Sequence, residues 1–131
     1  MVVKQKGYLG NVLLKEAGIN IKFTKEQVKE YMKCANDPIY FIEKYIKVVA
    51  LDEGLVPFKL YDFQEDMVNV VHNNRFVIAK LPRQSGKSTT MIAYLLHYIL
   101  FNQNMNVAVL ANKQSVAKDI LSRLQLTYEY L

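Results

Sequence analysis

Apolar and polar positions follow two different patterns along this chain, and each pattern predicts a different kind of element. Between residues 24 and 74, apolar positions recur three and four residues apart, which is the spacing of amphipathic helices. Farther along, two short runs, Phe76–Ala79 and Met105–Leu110, are apolar with little alternation. Such runs are typical of strands that are buried on both faces of a parallel sheet.

Helix start signals support the first pattern. Thr24 with Gln27 has the spacing of a capping box and predicts the start of one helix, while Asp37-Pro38 predicts the N-cap and first residue of the next. The apolar positions expected on these two helices are, in order, Val28, Tyr31, Met32, Ala35, Phe41, Ile42, Tyr45 and Ile46.

A loop is predicted from Gly54 to Pro57, and a third helix is predicted to begin with Asp62 as its cap and to close at Asn73-Asn74. Four apolar side chains of this helix are expected to point inward: Phe63, Met67, Val70 and Val71.

The stretch from Arg75 to Thr89 reads R-F-V-I-A-K-L-P-R-Q-S-G-K-S-T and is the candidate chemical site. A strand, then a loop ending in Gly86-Lys87-Ser88, then a helix over residues 86–101 is the context of a loop that binds the phosphates of a nucleoside triphosphate. In such a loop Lys87 would bridge the β- and γ-phosphates, the Ser88 hydroxyl would ligate Mg²⁺, and Gly86 would allow the backbone to approach the phosphates.

This loop departs from the usual G-x-x-x-x-G-K-[ST] pattern, because Leu81 stands where the first glycine belongs. A Gly-Lys turn without function is the alternative interpretation. Arg83 would reach the γ-phosphate if the loop binds a triphosphate, and is otherwise a solvated cation.

The order strand, helix, strand, helix implies parallel crossover units, with a turn at residues 102–104 and a last helix over residues 113–131. Val116, Ile120 and Leu124 form a stripe on that helix. Two strands are too few for a parallel sheet, and the chain ends without a helix stop signal. The expected fold is therefore an incomplete α/β parallel sheet of the P-loop NTPase class. An N-terminal helical region at residues 1–60 would precede the first part of an ATPase domain at residues 61–131.

Composition narrows the class of protein only a little. The 131 residues are 51% hydrophobic and 22% charged, with a net charge of +5 that is scattered rather than clustered. These values indicate a globular domain and only weakly favour a polyanionic partner. Cys34 is the single cysteine, the N-terminus lacks a signal-peptide apolar core, and no apolar run is long enough to span a bilayer. We therefore expect a soluble protein that is not secreted.

Three motifs together resemble the large terminase subunit of tailed bacteriophages, especially T-even-like phages. They are L-V-P-F-K-L-Y-D-F-Q-E-D-M at Leu55–Met67, L-P-R-Q-S-G-K-S-T at Leu81–Thr89, and A-V-L-A-N-K at Ala108–Lys113. Loops of the form R-Q-x-G-K-[ST], without the first glycine, are typical of that family. The resemblance implies an additional-strand ATPase that drives double-stranded DNA through a portal into a capsid, joined in the whole protein to a metal-dependent nuclease.

The resemblance also implies roles for individual residues. Arg83 and Lys87 would be catalytic, Ser88 would bind Mg²⁺, Gln64 would read the adenine edge, and Phe63 would pack against the base. Residues 110–113 would couple nucleotide state to DNA. The full set expected to bind ATP is Phe63, Gln64, Arg83, Gln84, Ser85, Gly86, Lys87, Ser88 and Thr89. The implied partners are DNA, the portal protein, the small terminase subunit and further copies in a homo-oligomeric motor, in the host cytoplasm and transiently at the procapsid portal.

One requirement of an ATPase is missing from the sequence that follows the loop. A carboxylate is needed to hold Mg²⁺ and another to activate water, yet Asp119 and Glu129 are the only acids after Ser88. Asp52-Glu53 ends an apolar stretch upstream and is interpreted by default as a surface pair. The alternatives are a fragment of a helicase or translocase ATPase, or a module that binds ATP without turnover.

Overall fold

A computed structural model describes residues 22–50 and 54–131. Their elements are five helices and one hairpin, in the order α1 Lys25–Asn36, α2 Pro38–Tyr45, β1 Lys47–Ala50, β2 Gly54–Pro57, α3 Asp62–Asn73, α4 Lys87–Phe101 and α5 Gln114–Glu129. The chain divides into two units, residues 1–30 and 31–131.

Local capping explains where the first helices begin. In the first unit, Thr24 Oγ1 accepts a hydrogen bond from the Gln27 amide at 3.2 Å and Gln27 Oε1 accepts one from the Thr24 amide at 2.9 Å, so the capping box is confirmed. In the second unit, Asp37 Oδ1 accepts from the Tyr40 amide at 2.9 Å, and Pro38 occupies the first position of α2. Both start signals are therefore confirmed.

The expected parallel sheet is not present in the part of the chain that the structure describes. The only strands there are β1 and β2, which pair antiparallel from Lys47 opposite Pro57 to Ala50 opposite Gly54. Neither residues 76–79 nor residues 105–110 form a strand. The predicted α/β P-loop fold is therefore wrong for these residues, because an apolar run becomes a strand only where another strand supplies its hydrogen-bond partners.

Two finer predictions also fail. Residues Gly54–Pro57 are not a loop but the second strand of the hairpin, and the bond from the Phe58 amide to the Ile46 carbonyl at 2.9 Å extends the pairing. The inward face of α3 is rotated by about one residue, since Gln64, Met67 and Val68 are buried while Phe63 and Val70 are exposed.

The core of the second unit lies among α2, α3 and α4, which contact one another pairwise. Its most buried apolar side chains are Ile42, Ile46, Val68 and Ala93. Aromatic rings extend it, with the Phe41 and Phe101 ring centroids 5.3 Å apart in an edge-on arrangement. This helical core fixes the start of α4 beside the start of α3, which is where the candidate loop lies.

Candidate nucleotide-binding loop

Residues 82–86 form a tight loop that leads directly into α4, whose first residue is Lys87. We refer to residues 82–87 as the glycine–lysine loop. Two of its residues have left-handed backbone conformations, Gln84 with φ 62° and Gly86 with φ 75°. Residues other than glycine rarely adopt the left-handed backbone region. Gly86 occupies the N-cap of α4. The sequence therefore places its glycine where the chain turns into the helix.

Hydrogen bonds within the loop converge on one carbonyl. Pro82 O accepts from Ser85 Oγ at 3.0 Å and from Lys87 Nζ at 3.1 Å. Lys87 is the first residue of α4, so its side chain folds back across the turn that precedes it. The ammonium group is thereby held over the loop rather than extended into solvent.

The start of α4 provides amide donors beside this ammonium group. The backbone bond from the Thr90 amide to the Gly86 carbonyl, 2.9 Å long, closes the first turn of the helix. The amides of Lys87, Ser88 and Thr89 precede it and have no acceptor one turn back in the helix. A helix N-terminus with free amides and a partial positive charge is suited to binding an anion.

A cavity of about 600 Å³ opens on one side of the loop. Such a volume is within the range of small-molecule sites. Six of the residues predicted to bind ATP line it: Phe63, Gln64, Gln84, Ser85, Gly86 and Thr89. The other three, Arg83, Lys87 and Ser88, do not line this cavity. Arg83 and Ser88 are exposed at the loop surface.

Three parts of the cavity wall were not predicted from the sequence. The hairpin contributes Lys47, Val48, Val49 and Leu55, and the approach to α3 contributes Phe58 and Tyr61. Helix α5 contributes Arg123, Leu126 and Thr127, and Tyr130 follows it as the C-cap. Tyr61 is the one wall residue that the local sequence could have indicated, because it lies two residues before Phe63. The two rings stack with centroids 5.9 Å apart and planes 8° from parallel. The other residues come from distant segments and no local pattern reveals them.

Gln64 connects the start of α3 to the loop. Its Oε1 accepts from the Tyr61 amide at 3.1 Å, and its Nε2 donates to the Ser85 carbonyl at 3.1 Å. The side chain is 2% exposed, so the loop rests on an amide that is itself buried. The predicted cap of α3 also moves by one residue, since Tyr61 is the N-cap and Asp62 is the first helical residue.

A Mg²⁺ ion that arrives with a nucleotide is compatible with the donors near the loop. Within residues 22–50 and 54–131, no group of three or more His, Cys, Asp or Glu side chains is close enough to hold a metal ion. Ser88 provides one exposed hydroxyl on the first turn of α4. In nucleotide sites Mg²⁺ is bound by phosphate and water oxygens together with one or two protein carboxylates, so the Ser88 hydroxyl would supply only one of its protein ligands.

The two acids that follow Ser88 lie on α5, and neither lines the cavity. Asp119 Oδ2 lies 2.9 Å from Arg123 Nε on the exposed surface of α5, in an i, i+4 ion pair. Glu129 is exposed at the last residue of α5. The Asp52-Glu53 pair lies outside the described residues.

Comparison with models of known protein families finds no match to this chain. Among the described residues, no helix is both long enough and apolar enough to cross a membrane.

Proposed function

We propose that the glycine–lysine loop binds the triphosphate of ATP, and that the chain is the ATP-binding portion of a viral DNA-packaging terminase large subunit. The observation that carries the proposal is the return of Lys87 Nζ to the Pro82 carbonyl at 3.1 Å. It brings a cation and the free amides of α4 to one short loop, which is the combination that a phosphate group requires.

The order of the three terminase-like motifs supports the more specific part of the proposal. Two of them meet in space, because Phe63 and Gln64 line the same cavity as Gln84, Ser85 and Gly86. The cavity holds a base and ribose in this proposal, while Lys87 and the first amides of α4 hold the phosphates. Double-stranded DNA, the portal protein, the small terminase subunit and further copies of the motor are the partners proposed from the resemblance alone.

Arg83 is proposed as the residue that stabilises negative charge developing on the γ-phosphate. It is exposed in the turn that precedes Gly86 and does not line the cavity of about 600 Å³. Ser88 would supply one oxygen to Mg²⁺, which neutralises phosphate charge when it is bound. ATP turnover by this chain is expected to be negligible, because the two acids that follow Ser88 both lie on α5 and Asp119 is already paired with Arg123.

Replacing Lys87 tests the proposal. The Lys87→Ala variant should bind ATP at least tenfold more weakly by calorimetry, because about 1.4 kcal/mol or more of charge-assisted bonding is lost. Lys118→Ala is the matched control, since it removes the same charge from an exposed position on α5. An equal ATP affinity in the wild type and in Lys87→Ala would refute the assignment of the loop. Turnover that depends on Lys87 would refute the expected lack of hydrolysis.

A further inference from the structure

Gln64 has both ends of its amide occupied by the protein. The carbonyl oxygen accepts from the Tyr61 amide at 3.1 Å, and the nitrogen donates to the Ser85 carbonyl at 3.1 Å. A glutamine that reads adenine must present a donor and an acceptor together to the edge of the base. At 2% exposure, the remaining donor and acceptor sites of Gln64 are not open to such an edge.

The same amide is in close contact with the backbone of the loop. A Cβ built on Gly86 would lie 2.6 Å from Gln64 Nε2, closer than side-chain carbons come to other atoms. Gly86 is also in the left-handed region with φ 75°. The Gln64 amide therefore packs directly against Gly86, at the point where the loop turns into α4.

The surfaces that remain open to a base are mostly aromatic and apolar, and the polar side chains of Lys47, Gln84, Arg123 and Thr127 also line the cavity. Tyr61 is 69% exposed and Phe63 is 40% exposed, and both line the cavity. Aromatic rings stack on every base, since every base has a π-face, and this contact does not distinguish adenine from guanine.

We propose that Gln64 is a positioning residue for the glycine–lysine loop and does not read the base, so that the site accepts nucleoside triphosphates with little regard to base identity. This inference rests on the proposed function, because it assumes that the loop binds a triphosphate. It assigns Gln64 a different partner from the one that the terminase resemblance implies.

Comparing ATP, GTP and inorganic tripolyphosphate tests the inference, because tripolyphosphate has no base. We would titrate all three into the full chain and into its Gln64→Met variant by calorimetry. Methionine is unbranched and uncharged, so it fills the space without the two hydrogen bonds and without adding charge beside phosphate. The wild type should bind ATP and GTP within about threefold of each other. The variant should lose about tenfold for all three ligands, by the same factor for each.

Gln27→Met is the matched control. Gln27 Oε1 accepts from the Thr24 amide at 2.9 Å at the start of α1, just as Gln64 Oε1 accepts from the Tyr61 amide at the start of α3. Gln27 lies in α1, whereas Gln64 donates to the loop at Ser85. The fitted stoichiometry reports the folded fraction, so a variant that only loses folded protein shows fewer sites at an unchanged Kd.

Three other outcomes overturn the inference in distinguishable ways. If Gln64→Met weakens ATP but not tripolyphosphate, Gln64 acts on the base. If the wild type binds ATP more than tenfold tighter than GTP, the base is read by other groups. If the wild type binds neither nucleotide nor tripolyphosphate, the proposed function fails and this inference fails with it.

Discussion

At the scale of single residues, two glycines with nearly the same backbone conformation have different surroundings. Gly54 has φ 73° and a Cβ added to it would meet nothing within 4 Å, whereas a Cβ on Gly86 with φ 75° would meet Gln64 Nε2 at 2.6 Å. The backbone strain of an alanine is therefore similar at both positions, and only Gly86 adds a steric conflict with a buried amide.

Alanine substitutions at these glycines separate the two effects. Gly54→Ala should lower the free energy of unfolding by about 1 kcal/mol, the usual strain of a left-handed alanine. Gly86→Ala should lower it by about 2–3 kcal/mol, because Gln64 must also move and lose its bond to the Ser85 carbonyl. Urea denaturation of both variants measures the difference, and equal losses would show that Gln64 yields without cost.

His97 is the other residue whose surroundings have a measurable consequence. Its Nε2 lies 2.8 Å from the Cys34 carbonyl, which only accepts, so Nε2 carries the proton in the neutral ring. Its Nδ1 is buried without a hydrogen-bond partner in the described structure, among the rings of Phe41, Tyr94 and Phe101. A second proton on His97 would place an unpaired charged donor in the core.

Burial accordingly lowers the pKa of His97 from its usual value of about 6.5; the hydrogen bond to the Cys34 carbonyl opposes this in part, and His72 and Asp37 add smaller effects that lower and raise the pKa respectively. The unfolded chain then binds a proton that the folded chain does not, so stability should be complete above pH 6.5 and should fall as the pH drops below it. Chemical denaturation at several pH values measures this slope. His97→Phe should flatten it, while His72→Gln, which keeps the buried His97 ring and removes only a minor cause of the shift, should leave most of it.

At the scale of elements, side chains near the start of a helix differ in whether they actually cap it. Asp37 Oδ1 accepts the Tyr40 amide at 2.9 Å at the start of α2, whereas Asp62 is already inside the first turn of α3 behind the N-cap Tyr61. Only the first of these aspartates satisfies an amide that the helix leaves without an acceptor.

Asp37→Ala should therefore lower the free energy of unfolding by about 1 kcal/mol, the typical loss of an N-cap. Asp62→Ala should lower it by about 0.3–0.5 kcal/mol, since it removes only the favourable interaction with the helix dipole. Thermal and urea unfolding of the two variants provide the comparison. A loss at Asp62 as large as that at Asp37 would contradict the assignment of Tyr61 as the cap.

These elements also show which structural features could be predicted from the sequence. The starts of α1 and α2 were predictable because Thr24 with Gln27, and Asp37 with Tyr40, interact within four residues of each other. The hairpin was missed because β2 contains Gly54 and Pro57, and strand pairing depends on a second segment. Gln64 was expected to face a nucleotide, but its Nε2 donates to the Ser85 carbonyl. That contact could not be predicted, because Ser85 lies in a different segment of the chain.

In the candidate site too, features set by local sequence could be predicted and contacts between distant segments could not. The loop sequence around Gly86 and Lys87 indicated the positions of the glycine and of the cation, because both depend on the local turn into α4. The cavity wall could not be predicted, since Val49 of the hairpin and Arg123 of α5 meet there only after the helices pack. Contacts between distant segments have no signature in a single sequence.

At the scale of the whole molecule, the most exposed large apolar side chains among the described residues are in the two segments that were predicted as strands. Phe76 is 84% exposed, Ile78 is 100% exposed and Leu110 is 93% exposed. Neither segment pairs with a strand among the described residues. Exposed apolar residues in segments that lack a strand partner favour association between chains.

We therefore expect the chain to self-associate as its concentration rises, and we expect Ile78→Glu to weaken that association by placing a charge on the most exposed apolar position. Stability should change by less than about 0.5 kcal/mol, because a fully exposed side chain contributes little to the core. Gln125→Glu is the matched control, since it makes the same charge change at an exposed polar position of α5. Sedimentation velocity over a tenfold range of concentration measures the effect. If Ile78→Glu and Gln125→Glu associate as strongly as the wild type, the 76–79 segment does not mediate contacts between chains, and the exposed Leu110 becomes the next position to test.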